Sequence, residues 1–122
     1  MKEYILIFRI KPLTPEEFEL VRVKWATIIP RWTEQGHFVH SSLMHNEGIV
    51  ISGPERNITE APMANGERIV LSFLRLKADN QDQAMKLAME APTLDAGGSV
   101  EVREVKPITP PAITNDANAA RN

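Results

Sequence analysis

Arg68–Lys77, with the sequence RIVLSFLRLK, is the stretch that decides the fold. Its apolar side chains fall alternately on two faces, Ile69, Leu71 and Phe73 on one and Val70, Leu74 and Leu76 on the other, with Ser72 as the small exception. A strand with one face in water would instead alternate apolar and polar residues. The stretch therefore predicts a central strand of a sheet that is covered on both faces.

A second strand with two apolar faces is predicted at the start of the chain, over Tyr4–Ile10. Pro12 ends it, because proline cannot donate to the ladder. A helix then begins at Thr14-Pro15-Glu16-Glu17, whose first residue suits the N-cap and whose last suits a capping box. Apolar residues recur at helical spacing as far as Gly36, which suits the C-cap. Pro30 lies inside this pattern and predicts a kink or a break.

The middle of the chain predicts a hairpin followed by a long loop. His37–Met44 and Gly48–Ser52 are typical of strands, and turn residues separate them. Gly53–Glu67 has little periodicity, and a loop of that length is often functional or partly mobile. Glu55–Gly66 is therefore a candidate lid, with a variable surface loop as the alternative.

After the central strand, the sequence predicts a second helix and a last strand. Asp79 or Asn80 caps the helix, which carries a narrow stripe of small side chains made by Ala84, Leu87, Ala88 and Ala91. The last strand covers Ser99–Val105. From residue 107 to 122 the composition shifts to Pro, Thr, Asn and Ala, which is typical of a disordered tail or of an arm laid on a partner.

The element order βαββ-loop-βαβ predicts an α+β, ferredoxin-like sandwich over residues 1–106. In that arrangement the two doubly apolar strands lie side by side, and two helices can cover only one face of the sheet. The other face would expose more contiguous apolar surface than a monomer usually tolerates. We therefore expect a homodimer with its sheets packed face to face. The alternative is a monomer whose long loop or tail folds over that face.

Composition narrows the possible function. The chain has 122 residues, a net charge of -2 and no cysteine. It offers no basic field for nucleic acid, no disulfide framework and no thiolate metal site. No apolar run approaches the roughly 20 residues of a membrane span, and the N-terminus has no secretory signal pattern. We expect a cytoplasmic protein with neither a nucleic-acid nor a membrane partner.

Three segments resemble the YCII-related (DGPF-domain) family of dimeric α+β barrels: Tyr4–Ile7, the helix that ends at Gly36, and Ala91-Pro92 followed by Gly97–Arg103. The resemblance implies a dimeric barrel, and its superfamily includes lyases, isomerases and cofactor-free oxygenases, so we expect no cofactor. The signature Asp-Gly-Pro-Phe would fall at Ser52–Glu55, which keeps only the Gly-Pro turn, and Glu104 stands where proline is usual. Some smaller relatives carry a His and an Asp proposed as a catalytic pair, which would fall near Lys24 and at Ala91. Neither side chain is present here, so that pair is not carried over.

The histidines are the candidate catalytic residues. His37, His40 and His45 cannot share a metal on a regular strand, because residues an odd number apart face opposite ways and the outer two lie too far apart. His37 or His40 lining a pocket could move a proton near neutral pH. No metal site is expected.

Four further residues are candidates for substrate binding. Trp25 belongs either to the core or to a pocket wall between helix and sheet. Arg9, on an otherwise apolar strand, needs an anionic partner, either Glu101 or a substrate carboxylate. Glu101 and Arg103 share a strand face and form either an ion pair or, as the resemblance implies, part of a pocket.

Two functions remain open from the sequence. The first is a homodimeric protein with a pocket between sheet and helices, which either only binds a small organic molecule or is also a cofactor-independent enzyme of the lyase or isomerase type. Catalysis would then rest on His37 or His40 as base and Arg9 as anion clamp. The second is a non-catalytic interaction or regulatory module that has lost the catalytic pair of its relatives.

Overall fold

The computed structural model describes residues 1–45, 47–61 and 69–107. Within these ranges, six strands and two α-helices follow one another as β1 (Lys2–Ile10), α1 (Pro15–Glu34), β2 (Phe38–Leu43), β3 (Gly48–Ser52), β4 (Asn57–Ala61), β5 (Ile69–Ala78), α2 (Gln81–Ala88) and β6 (Ser99–Glu104). A single 3₁₀ turn, Pro92–Leu94, links α2 to the last strand. The tail predicted over residues 107–122 lies outside the described residues from 108 onwards.

Four strands form an antiparallel sheet in the order β2-β5-β1-β6. Because β1 and β2 are both antiparallel to β5, they run in the same direction with β5 between them, and α1 is their crossover. In the same way, α2 joins β5 to β6 with β1 between them. Two interleaved βαβ units of this kind make a mixed α+β domain with the ferredoxin-like plan. The two strands that the sequence placed in the centre, β1 and β5, are the central strands.

The predicted hairpin and loop are wrong in their details. β3 pairs with β4 rather than with β2, and β4 lies within the segment predicted as a loop. The turn that joins them is tight because Gly53 and Arg56 both adopt left-handed backbone conformations and the Arg56 amide donates to the Gly53 carbonyl at 3.0 Å. The candidate lid Glu55–Gly66 is therefore partly a strand, and its residues from 62 onwards lie outside the described part of the chain.

Helix α1 begins where the sequence predicted and continues through its proline. The Thr14 hydroxyl accepts from the Glu17 amide at 3.1 Å, and the Glu17 carboxylate accepts from the Thr14 amide at 2.9 Å, which completes the capping box. Of the kink or break expected at Pro30, the break is absent, since α1 is one helix from Pro15 to Glu34, and the kink stays a prediction. Proline removes a single backbone donor, and packing of the helix on the sheet compensates for that loss. Gly36, with φ +82°, follows the last turn.

The two faces of the sheet have different neighbours. The helices cover one face, where alternate residues of β1 and β5 are buried with side chains of α1 and α2: Tyr4, Leu6, Phe8, Leu74, Leu76, Ala78, Trp32, Ala84, Leu87 and Ala88. The other, called the open face below, holds the partly buried Ile5, Ile7 and Phe73. The expected aliphatic surface is interrupted there by Arg9 and Arg75, because both have the strand parity of that face.

Candidate functional site

A pocket of about 300 Å³ lies between α1 and the covered face of the sheet. Its walls are mainly apolar, and hydroxyl groups and one guanidinium interrupt them. The described lining residues are Phe8, Phe18, Val21, Arg22, Trp25, Ile29, Ser41, Ser42, Leu43, Ser72, Phe73, Leu74 and Thr93. A concave, mostly apolar site with a few polar groups is the usual form of a small-molecule site.

The pocket forms where a small side chain of the sheet lies beneath the part of α1 that is least buried. Burial rises along the helix, from Phe18 at 39% exposed, through the partly buried Trp25, to the fully buried Trp32. Beneath the less buried half of the helix, Ser72 lies between Phe8 and Leu43 in neighbouring strands. A serine in a row of large apolar side chains leaves unfilled volume, and this volume forms the floor of the pocket.

Trp25 is fixed in the pocket wall by aromatic contacts on both sides. Its ring meets Phe8 edge-to-face, with centroids 5.5 Å apart, and Trp32 in the same way at 5.7 Å. Trp32 is held in turn by Glu90, whose carboxylate accepts from the indole N–H at 3.3 Å and from Arg31 at 2.6 Å. Both sequence readings of Trp25 therefore apply, because it packs against the core and also lines the pocket.

Arg22 is the guanidinium at the pocket, and its charge is already paired. Its Nε donates to Glu19 Oε1 at 3.0 Å, and a second guanidinium nitrogen donates to Glu19 Oε2 at 2.5 Å. This hydrogen bonding lowers the pKa of Glu19 and raises the pKa of Arg22. Four hydroxyl-bearing residues line the pocket, and because the Ser42 hydroxyl already contacts His40 Nε2, the neutral hydroxyls of Ser41, Ser72 and Thr93 are the ones left for a ligand.

The candidate catalytic histidines lie elsewhere. His37 contacts the Lys77 carbonyl oxygen through Nδ1 at 2.8 Å, where β2 begins. His40 is exposed on the open face, with its Nε2 at 2.9 Å from the Ser42 hydroxyl. Neither lines the pocket. His45 borders a neighbouring depression of about 490 Å³ that shares Phe18 with the pocket.

The remaining candidate binding residues form an ion-pair network on the open face. Arg9 donates to Glu101 Oε1 at 2.6 Å, and Arg103 donates to the other oxygen of the same carboxylate. Hydrogen bonds from Arg103 and then from Arg9 lower the pKa of Glu101. Arg9 thus has the internal partner that was one of its two sequence alternatives, and the whole network lies on the opposite face of the sheet from the pocket.

Residues 1–45, 47–61 and 69–107 contain neither a cluster of metal ligands nor a helix that could span a membrane. Within those ranges no group of three or more His, Cys, Asp or Glu side chains could hold a metal ion. Neither described helix combines the length and the apolar composition that a membrane span requires.

The sequence indicated one residue of the pocket wall but not the serines of the pocket. Trp25 was a candidate, whereas Ser41 and Ser72 were not. The signal for Ser72 was present, because it is the polar exception in the most apolar strand. The pocket becomes visible only when the register sets Ser72 beside Phe8 and beneath α1.

Neither a protein-family model nor a curated protein matches the chain. Among solved structures, the chain is similar to GlnK of B. subtilis, described as a complex with ATP, with 12% sequence identity and a TM-score of 0.36, covering 85% of this chain and 82% of that chain. A similarity of this strength says nothing about the ligand of this chain.

Proposed function

We propose that the protein is a homodimer of the YCII-related type that binds a small organic molecule in the pocket between α1 and the sheet. The observation that carries the proposal is the apolar pocket of about 300 Å³, a volume at the lower end of the range for small-molecule sites. The walls suit a molecule that is largely apolar, and the hydroxyls of Ser41, Ser72 and Thr93 suit a neutral hydrogen-bonding group on it.

Binding is better supported than a reaction. His37 and His40, the bases proposed from the sequence, lie outside the pocket, and Arg9 is paired with Glu101 on the other face. Lys24, near the position where some relatives carry a histidine proposed as catalytic, lies 3.4 Å from the Asp95 carboxylate in an exposed ion pair. The described lining residues include no histidine and no carboxylate, so a lyase or isomerase reaction has no base among them.

The homodimer is supported by the composition of the open face. Ile5, Ile7 and Phe73 form an apolar strip that the helices of the same chain do not cover. Burying such a strip against a second copy removes apolar surface from water, and twofold symmetry makes the contact self-complementary. The alternative function, a non-catalytic interaction module, shares this dimer and differs in leaving the pocket without a ligand.

A ligand screen, repeated on a variant whose pocket is filled by a larger side chain, tests the ligand proposal. Small carboxylates, phenols and quinones are screened for a rise in melting temperature, since a ligand of the folded form stabilises it. Ser72→Leu should place a side chain in the pocket and abolish the shift produced by any compound that binds, while the fold is retained. Ser52→Leu, on the exposed strand β3, is the matched control and should keep the shift. A shift that persists in Ser72→Leu places the ligand elsewhere, and a screen in which no compound shifts the wild type favours the interaction module.

A further inference from the structure

The β3–β4 hairpin has one apolar face although it stands apart from the main sheet. Register pairs Ile51 with Ile58 and Ile49 with Glu60, which places these four side chains together on one face. The three isoleucines are 59% to 68% exposed. A two-stranded hairpin alone is at best marginally stable in water, so this face requires a cover.

We propose that the hairpin is an arm that packs this face on the open face of a second copy of the chain. The inference rests on the homodimer of the proposed function and adds the contact that holds it together. Each copy would both provide a hairpin and receive one, as a twofold axis requires.

The apolar parts of the two surfaces match. The open face presents Ile5, Ile7 and Phe73, which are only partly buried by their own chain. Apolar side chains are the complementary contact for such a strip, and the isoleucine face of the hairpin consists mainly of them. Mutual burial would remove from water the exposed isoleucine face of the hairpin and the partly buried apolar strip of the open face.

The charges are also complementary. Residues 47–61 hold three glutamates and one arginine, whereas the ion pairs of the open face join three arginines to two glutamates. Within that face, Arg9 and Arg103 share the single carboxylate of Glu101, and the Arg103 side chain is 70% exposed. Glu60, on the isoleucine face, would bring the carboxylate that this pair of guanidiniums lacks.

The topology favours packing of the hairpin on the open face of the second copy over packing on the open face of its own chain. The hairpin follows β2, one edge of the sheet, while Arg103 lies on β6, the other edge. A twofold axis parallel to the strands, placed between two facing sheets, sets the β2 edge of each copy opposite the β6 edge of its partner. The hairpin then reaches the Arg9–Glu101–Arg103 network of the partner without crossing its own sheet.

Ile51→Lys tests the apolar part of the contact. Sedimentation velocity over a range of concentrations should show a dimer dissociation constant raised about tenfold or more, because a charge replaces a central apolar contact. Leu20→Lys is the matched control, since Leu20 on α1 is 56% exposed against 59% for Ile51, and it should leave the constant unchanged. Circular dichroism verifies that both variants fold.

The outcomes separate the two proposals. A dimeric wild type whose dissociation constant is the same in Ile51→Lys overturns the arm and leaves the homodimer standing. A monomeric wild type at micromolar concentration overturns both.

A charge exchange tests the polar part. Glu60→Arg and Arg103→Glu should each weaken the dimer by placing like charges together. An equimolar mixture of the two variants should associate more tightly than either variant alone, because the mixed dimer regains opposite charges at this contact. A mixture that associates no more tightly than its components overturns the pairing of Glu60 with Arg103.

Discussion

The two faces of β1 show what covering a strand does to side chains of similar character. On one face, Tyr4, Leu6 and Phe8 are at most 2% exposed beneath the helices. On the other, Ile5 and Ile7 remain partly exposed although they are as apolar as their neighbours. The difference arises from topology, because the helices of the described part of the chain form a single layer on one face of the sheet. A strand that is apolar on both faces therefore predicts that both faces are buried. It does not indicate whether the same chain or a second molecule buries the second face.

The faces also differ in how polar groups are accommodated. On the covered face, the serine at position 72 opens a pocket, since a small polar side chain replaces a large apolar one. On the open face, arginines are tolerated because each has a carboxylate within hydrogen-bonding distance, Arg9 at Glu101 and Arg75 at Glu3. Polar side chains thus line a candidate binding cavity on one face and form ion pairs beside partly buried apolar side chains on the other.

The largest expected difference between the faces is in stability. Leu6→Ala, at a fully buried position on the covered face, should lower the free energy of unfolding by about 2–5 kcal/mol, because it removes buried methyl groups and leaves a cavity. Ile7→Ala, one residue along on the open face, should cost less in the isolated chain. Urea denaturation at several protein concentrations measures both.

Concentration dependence distinguishes the two losses. The decrease in the free energy of unfolding caused by Leu6→Ala should be the same at every protein concentration. The decrease caused by Ile7→Ala should grow as the protein associates, because the Ile7 side chain belongs to the proposed dimer contact. Equal losses at all concentrations would show that the two faces are covered alike within one chain.

A smaller effect is expected at the end of α1 that stands over the pocket. Thr14→Ala should lower stability by about 1 kcal/mol, because it removes the hydroxyl that accepts from the Glu17 amide. Thr27→Ala is the control at an exposed position inside the same helix, where alanine is the better helix former, so it should be neutral or slightly stabilising. Thermal unfolding followed by circular dichroism compares them, and equal melting temperatures would mean that the capping box contributes nothing.

The sequence predicted the features that depend on periodicity and end signals. The strands β1 and β5, the capping box at Thr14, the Asn80 cap and the small-residue stripe of α2 each follow from a local pattern. The α+β arrangement follows from the order of the elements, because few topologies connect them without crossings.

The features that the sequence did not predict depend on which strands meet. Asn57–Ala61 has no strong strand pattern, and it becomes a strand because the turn at Gly53 returns it to β3. Ser72 lines a pocket only because its row of the sheet lies beneath the less buried half of α1. Arg75 reaches the open face through strand parity, which was readable, but its partner Glu3 becomes its neighbour only in the folded sheet. Each of these three features depends on pairing between strands that are distant in sequence, and a local sequence pattern does not specify which strands pair.

The smallest expected effect concerns the pH dependence of the open face. Hydrogen bonds from Arg103 and Arg9 lower the pKa of Glu101 in the fold, so its stabilising contribution is present above the usual carboxyl pKa and is lost as the pH falls through the lowered value. Glu101→Gln should therefore be less stable than the wild type at neutral pH, and the two stabilities should converge once the pH has fallen below the lowered pKa of Glu101. Glu104→Gln is the control, because its carboxylate lies 3.8 Å from Lys2 in an exposed pair and should matter less. Urea midpoints at a series of pH values measure the difference, and a gap that stays constant into acid would mean that the Glu101 network stabilises by packing and not by charge.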